Sequence, residues 1–217
     1  MDSVNLVEIS ATILALMFAI IGHEIMHGYV AHLYGDNTAK YAGRLSISPL
    51  VHVDMVGTII VPAVLFFSGA PFMFGWAKPV PIFIPTVLRN GGNKAAIAVS
   101  LAGIAYNFVL ATLCAFLLGF FQDLHEVDTL IQYFIVYFLI QSLIYNVVLG
   151  IFNLYPIPPL DGSHAFTYLA DSLGWHRVVA FYDSMERYGM VILILLIATP
   201  ASKYFFAPIR YVIGLLY

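Results

Sequence analysis

Apolar residues run uninterrupted by charge through positions 95–122 and 129–160, and only Asp123, Glu126 and Asp128 separate the two stretches. Each exceeds the roughly 20 mostly apolar residues that carry a helix across a bilayer. The pattern predicts an antiparallel pair of spanning helices joined by a short acidic turn. A further stretch, about 6–33, stays apolar to Ile21 and then admits His23, Glu24 and His27 with no helix breaker. Positions 55–77 are also free of charge, but Gly57, Pro62, Gly69 and Pro71 interrupt them. Two shorter apolar runs close the chain. The predicted membrane segments are about 6–33, 55–74 (re-entrant or broken), 95–121, 129–153, 186–200 and 204–217. Ala39–Val53 and Trp76–Pro85 instead alternate or carry prolines, which predicts strands or extended loops. The whole reads as one all-α polytopic membrane domain over 1–217, with five to six membrane segments and a small β or extended element.

Composition agrees. Hydrophobic residues make up 61% of the 217 and charged residues 10%, against about 45–50% and about 25% in soluble domains. With a mean hydropathy of +0.91, that excess cannot be hidden in a core of this size. The net charge of −3 leaves no basic footprint for nucleic acid. A single cysteine, Cys114, excludes an internal disulfide. Asp2, Glu8 and the lack of a basic leader argue against a cleavable signal peptide.

The candidate chemistry starts at His23-Glu24-Ile25-Met26-His27, an H-E-x-x-H pattern in a helical context. Residues four apart share a helix face, so both imidazoles can reach one ion with Glu24 beside them. A hydrolytic zinc site uses three protein ligands and an open position, and a nearby carboxylate serves as general base. Charged groups at the end of a membrane segment are expensive and mostly functional. The metzincin continuation is missing, since Val30 and Leu33 stand where it needs Gly and His. Candidates for the third ligand are His52, Asp54, Asp161 and His164. Asp161 has the strongest context, Asn153-Leu154-Tyr155-Pro156-Ile157-Pro158-Pro159-Leu160-Asp161-Gly162. Its prolines free backbone groups that membrane depth tolerates only where protein or water surrounds them. The alternative role for Asp161 is to cap the helix that begins near Ser163.

These paired motifs resemble the site-2 protease family of intramembrane zinc metalloproteases, in its short bacterial and archaeal form without PDZ or CBS domains. Ser48-Pro49-Leu50-Val51-His52-Val53-Asp54 with Gly57-Thr58, and Phe74-Gly75-Trp76-Ala77-Lys78-Pro79-Val80-Pro81, extend the likeness. The resemblance implies one catalytic zinc held by His23, His27 and Asp161, with Glu24 as catalytic base. The family's Gly-Pro-x-x-Asn element reads Gly103-Ile104-Ala105-Tyr106-Asn107 here, with Ile104 in place of proline. Asn107 stands where it can donate to a developing oxyanion or substrate, or bond a neighbouring helix. His52, Asp54 and His164 remain as groups that orient ligands or substitute for one.

The implied activity is endoproteolysis of single-span membrane proteins within or beside the bilayer, on substrates that another protease can cut first. A membrane metal transporter is the alternative from another class, but no internal repeat is visible. If Asp161 and the histidines share an ion, 35–94 must begin and end on one side of the membrane, and 55–77 is no simple crossing. Lys40, Arg44, Lys78 and Arg89 make that side cytoplasmic, and the resemblance implies a bacterial or archaeal cell membrane. The extended segments 39–53 and 76–85 are placed to pair with an unwound substrate strand.

Overall fold

The computed structural model describes residues 3–69, 75–121 and 129–216. Three long helices form the bundle: α1 (Ser3–Leu33), α4 (Ile84–Gly119) and α5 (Leu130–Leu154). Each is long and apolar enough to cross a membrane. Ala11, Ala15 and Ala19 recur every fourth residue on α1 and are fully buried. Such a small-residue stripe lets helix backbones approach closely, which is how helices associate in lipid. α4 runs antiparallel to α1, with Asn90 Nδ2 donating to the Tyr34 carbonyl near one end and Asn107 Nδ2 to the Ala19 carbonyl deeper in. α5 returns alongside, and Ala111, Cys114 and Leu118 pack against Leu139, Leu143, Val147 and Ile151. Thr129 and Gln132 form a reciprocal capping box that starts α5. The large apolar side chains Phe18, Val109 and Phe116 point outward and are more than half exposed, as a lipid-facing surface requires.

The short elements gather at one end of this bundle. They are α2 (Thr38–Tyr41), a 3₁₀ turn (Pro49–His52), a π-helical turn (Met55–Ile60), α3 (Val61–Phe67) and α6 (Asp161–Ser172). The chain then runs through α7 (His176–Ala198), α8 (Ser202–Phe205) and α9 (Ala207–Leu216).

Several expectations change. Among the described residues, the helices long and apolar enough to span number three, or four if α7 and the α8–α9 stretch, bent 99° apart, count as one. Arg177, Asp183, Glu186 and Arg187 crowd the first half of α7, and α9 has only 10 residues, so neither alone suits a crossing of about 20. The segment 55–74 reaches only Phe67 as apolar helix before Ser68 and Gly69 end it. The expected β element is absent among the described residues. Around 39–53 the chain forms helical turns at Thr38–Tyr41 and Pro49–His52 with bends between them, while 75–83 belongs to no helix or strand. Pro79 and Pro81 cannot donate to a ladder, and the amides of Trp76 and Lys78 go to the separate carbonyls of Gly57 and His52. α4 begins at Ile84 rather than near 95, with a break at Gly92, whose φ of 62° is a left-handed conformation that glycine adopts without strain. The expected acidic turn, Asp123 to Asp128, lies outside the described residues, as does Phe74.

Candidate metal centre

His23 and His27 sit one turn apart on α1, 6% and 7% exposed, facing α4. The Nδ1 of His27 donates to the Val99 carbonyl at 2.7 Å. A carbonyl only accepts, so the proton of that ring is on Nδ1 and Nε2 carries a lone pair. The Nδ1 of His23 donates to Asn107 Oδ1 at 2.6 Å, which gives that ring the same tautomer. The two Nε2 atoms lie 3.0 Å apart, and Asp161 Oδ2 lies 3.0 Å and 3.1 Å from them.

Three electron-pair donors thus converge on one point. Burial alone would raise the Asp161 carboxyl, but a second proton, taken up at Nε2 of either imidazole, makes that ring a donor and a positive neighbour, and this holds the group well below the usual carboxylate range. Asp161 is therefore an anion at neutral pH. It opens α6, whose N-cap is Leu160 with no side-chain cap, and its carboxylate faces the imidazoles. Two imidazoles and a carboxylate, with the other ring nitrogens already bonded, are the donor set of a three-ligand zinc site. Among the described residues, this is the one group of three metal-ligating side chains so arranged.

The surrounding backbone is shaped to this cluster. α4 passes directly over the imidazoles at Gly103, where a Cβ would come within 2.6 Å of the His23 ring and closer still to His27 Nε2. Asn107 is fully buried. Its Nδ2 donates to the Ala19 carbonyl and to Asn146 Oδ1, and Asn146 donates in turn to the Ser142 carbonyl. The Asn107 amide is thus committed within the bundle, between His23 and α5.

Glu24 lies on the open side of the cluster, and its Oε2 accepts from the Val80 amide at 2.8 Å. Val80 belongs to the extended strap 75–83, which is fastened along its length. Arg44 donates to the Lys78 carbonyl, and the Phe83 amide donates to Asp36 at 2.6 Å. Asp36 is buried where the chain leaves α1 and also accepts from the Thr38 amide and hydroxyl. Burial raises its carboxyl, and these three hydrogen bonds more than reverse that, leaving it below the ordinary 3.8.

A cavity of about 580 Å³ opens beside the cluster, lined by Glu24, His27, Asp161 and His164. His164 faces this space outside the trio. The other two expected neighbours are not brought there. His52 is buried with Nε2 donating to the Ser46 carbonyl, and Asp54 caps the π-helical turn through the Val56 and Gly57 amides. The groups that residue types did not reveal are main-chain ones, the Val99 carbonyl and the Val80 amide. Only the prolines flanking Val80 hinted at the second.

The model of peptidase family M50 matches residues 123–197. "Putative zinc metalloprotease YwhC" of Bacillus subtilis is 35% identical over 205 residues, spanning 90% of this chain and 84% of that protein. The chain belongs to peptidase family M50. "Putative zinc metalloprotease Rip2" of Mycolicibacterium smegmatis is 29% identical over 186 residues, 85% of this chain and 65% of that one. No solved structure matches the chain. M50 is the site-2 protease family whose motifs the sequence resembles. The segment matched to the M50 model contains Asp161, while His23, Glu24 and His27 lie outside it and meet Asp161 only through the fold.

Proposed function

We propose that this M50 protein is an intramembrane zinc endopeptidase, one domain over 1–217, that hydrolyses peptide bonds of single-span membrane proteins at the end of the bundle that gathers His23, His27 and Asp161. The observation that carries this reading is the convergence of those three donors beside a carboxylate, Glu24, in an open cavity. His23, His27 and Asp161 would hold one zinc ion. Bound there, zinc supplies Lewis acidity and makes water nucleophilic at neutral pH. Glu24 accepts the proton of the attacking water and returns it to the leaving amine. The Val80 amide holds the Glu24 carboxylate in place for both transfers. Asn107 and Val99 fix the tautomers and orientation of the imidazoles, so Asn107 acts on the ligand His23 rather than on substrate. His164 contacts substrate in the cavity.

The nine Lys and Arg residues fall within 40–94 and 177–210, and none interrupts 95–176. Lys40, Arg44 and Lys78 lie between α1 and α4, Arg89 and Lys94 in the first turns of α4, and Arg177 at the start of α7, which supports a cytoplasmic orientation for the metal-cluster side.

The test compares the purified chain with Glu24→Gln for zinc content and for cleavage of single-span substrates. Equal zinc with cleavage lost in the variant supports the proposal. Cleavage that survives in Glu24→Gln removes the role given to the carboxylate, and zinc flux across liposomes without cleavage replaces the protease with a transporter.

A further inference from the structure

When water adds to a peptide carbonyl, an electron pair moves onto the carbonyl oxygen, and donors aimed at that oxygen lower the barrier. Asn107 cannot supply one, because its Nδ2 already donates to the Ala19 carbonyl and to Asn146 Oδ1. A side-chain donor must come from the wall of the cavity that holds Glu24, His27 and Asp161. Most hydroxyls on that wall are committed. Ser100, Ser163, Thr167 and Tyr182 donate to the carbonyls of Ala96, Leu160, Ser163 and Pro156. Asn93 Nδ2 is drawn to Asp171 Oδ2 at 2.8 Å. His164 and Tyr168 line the same cavity, and neither side chain has a hydrogen-bond partner among the described residues. Both stand on α6, whose first residue is Asp161. His164 is one turn along and shares a helix face with Asp161. Tyr168 lies two turns along, a rise of about 10 Å from Asp161.

We infer that His164 is a catalytic residue, the side-chain donor to the oxyanion that forms when water attacks the scissile carbonyl. The inference rests on the protease reading and gives His164 a defined part in it. The water oxygen bonds to the carbonyl carbon, Glu24 takes the water proton, and the carbonyl pair moves to oxygen, where a His164 N–H meets it. The pair then returns, the C–N bond breaks, and the leaving nitrogen takes the proton back from Glu24. An imidazole carries at least one N–H in either protonation state, so the donor is present throughout and His164 itself gains or loses no proton. Glu24 and His164 enter the cavity from different helices, α1 and α6. A carbonyl between them can therefore present its carbon to the attacking water and its oxygen to the imidazole.

The experiment compares the full chain with His164→Ala, His164→Asn and His164→Gln on one single-span substrate. Removing an oxyanion donor lowers kcat by roughly a hundredfold to a thousandfold, so His164→Ala should fall by that much with KM little changed. Its zinc affinity should match that of the unmodified chain. The amide N–H of Asn or Gln takes the place of one ring nitrogen, so one of these two variants should recover much of the rate. A peptide phosphonate of the substrate sequence puts a charged oxygen where the oxyanion forms. Its affinity should fall in His164→Ala in step with kcat/KM, while the uncleaved peptide should bind Glu24→Gln equally with and without His164→Ala. A kcat for His164→Ala close to that of the unmodified chain overturns the inference. So does a rate loss that follows lost zinc, which makes His164 a ligand, or one confined to KM, which makes it a binding contact. A comparable loss in Tyr168→Phe, with His164→Ala at full rate, gives the role to Tyr168. No cleavage by the unmodified chain would instead sink the protease reading, and the inference with it.

Discussion

The main-chain amide of Val80 donates to Glu24 Oε2 across 2.8 Å, tying together two residues 56 positions apart. It stands between Pro79 and Pro81, neither of which has an amide to offer. A backbone group thus fixes the carboxylate that is to move protons, and a side-chain replacement at Val80 leaves that group in place.

Val80→Pro should therefore slow cleavage where Val80→Ala does not. A hydrogen bond to a charged group contributes about 1.5–3 kcal/mol, so its loss predicts a fall in kcat of roughly tenfold to a hundredfold. Zinc content, measured by elemental analysis, should be the same in both variants. Equal kcat for the proline and alanine variants would show that the amide has no part in the reaction.

Gly103→Ala should disturb the metal cluster itself. The new methyl would fall within 2.6 Å of the His23 ring, and overpacking of this kind costs about 1–3 kcal/mol. The imidazoles must turn away, so the purified variant should retain little zinc after dialysis while keeping its helical circular dichroism. Full zinc retention would mean that α4 can shift without cost.

Asn107→Ala removes the acceptor of the His23 Nδ1 proton and leaves Asn146 Oδ1 without its donor. Loss of such an orienting partner typically weakens metal affinity by about 10–100-fold. Competition with a chromophoric chelator should report that loss, together with a lower melting temperature from the unpaired buried Asn146 oxygen. If affinity is unchanged and only turnover falls, Asn107 contacts substrate instead.

Asp36 gives a pH signature distinct from the metal cluster. Its folded carboxyl titrates below 3.8, so the unfolded chain binds its proton more readily. By linkage, it contributes stability above pH 3.8, and that contribution is lost as pH falls through the lowered folded value. Melting temperatures of the unmodified chain and Asp36→Asn should differ most near neutrality and converge in acid. A gap that stays constant with pH would assign the effect to packing.

The parts of this protein that the sequence exposes are those with a local pattern. His23, Glu24 and His27 announce themselves because four residues make one turn, and the bundle because apolar runs have the length of a bilayer. Asp161 stood out through the prolines before it, although its distance to the histidines is a product of the fold. For the strap 75–83, prolines and alternation pointed to a strand or a loop, and only the fold decides for the loop, since such a pattern says nothing about a partner. The roles of Val99 and Val80 belong to main-chain atoms, which every residue carries, so no residue type could signal them. His52 and Asp54 looked like candidates by composition but serve turns near the strap. The first half of α7 carries too much charge for the apolar count further along to make it a simple span.

His27 and Asp161, whose side-chain atoms meet at 3.1 Å, are 134 residues apart along the chain. Synthesis at about 5–20 residues per second separates their emergence by roughly 7–27 s. During that interval the histidines and Glu24 have entered the membrane while the carboxylate that completes the trio has not been made. A nascent chain therefore has no finished centre, and activity must wait until α4 and α5 have inserted and α6 has docked.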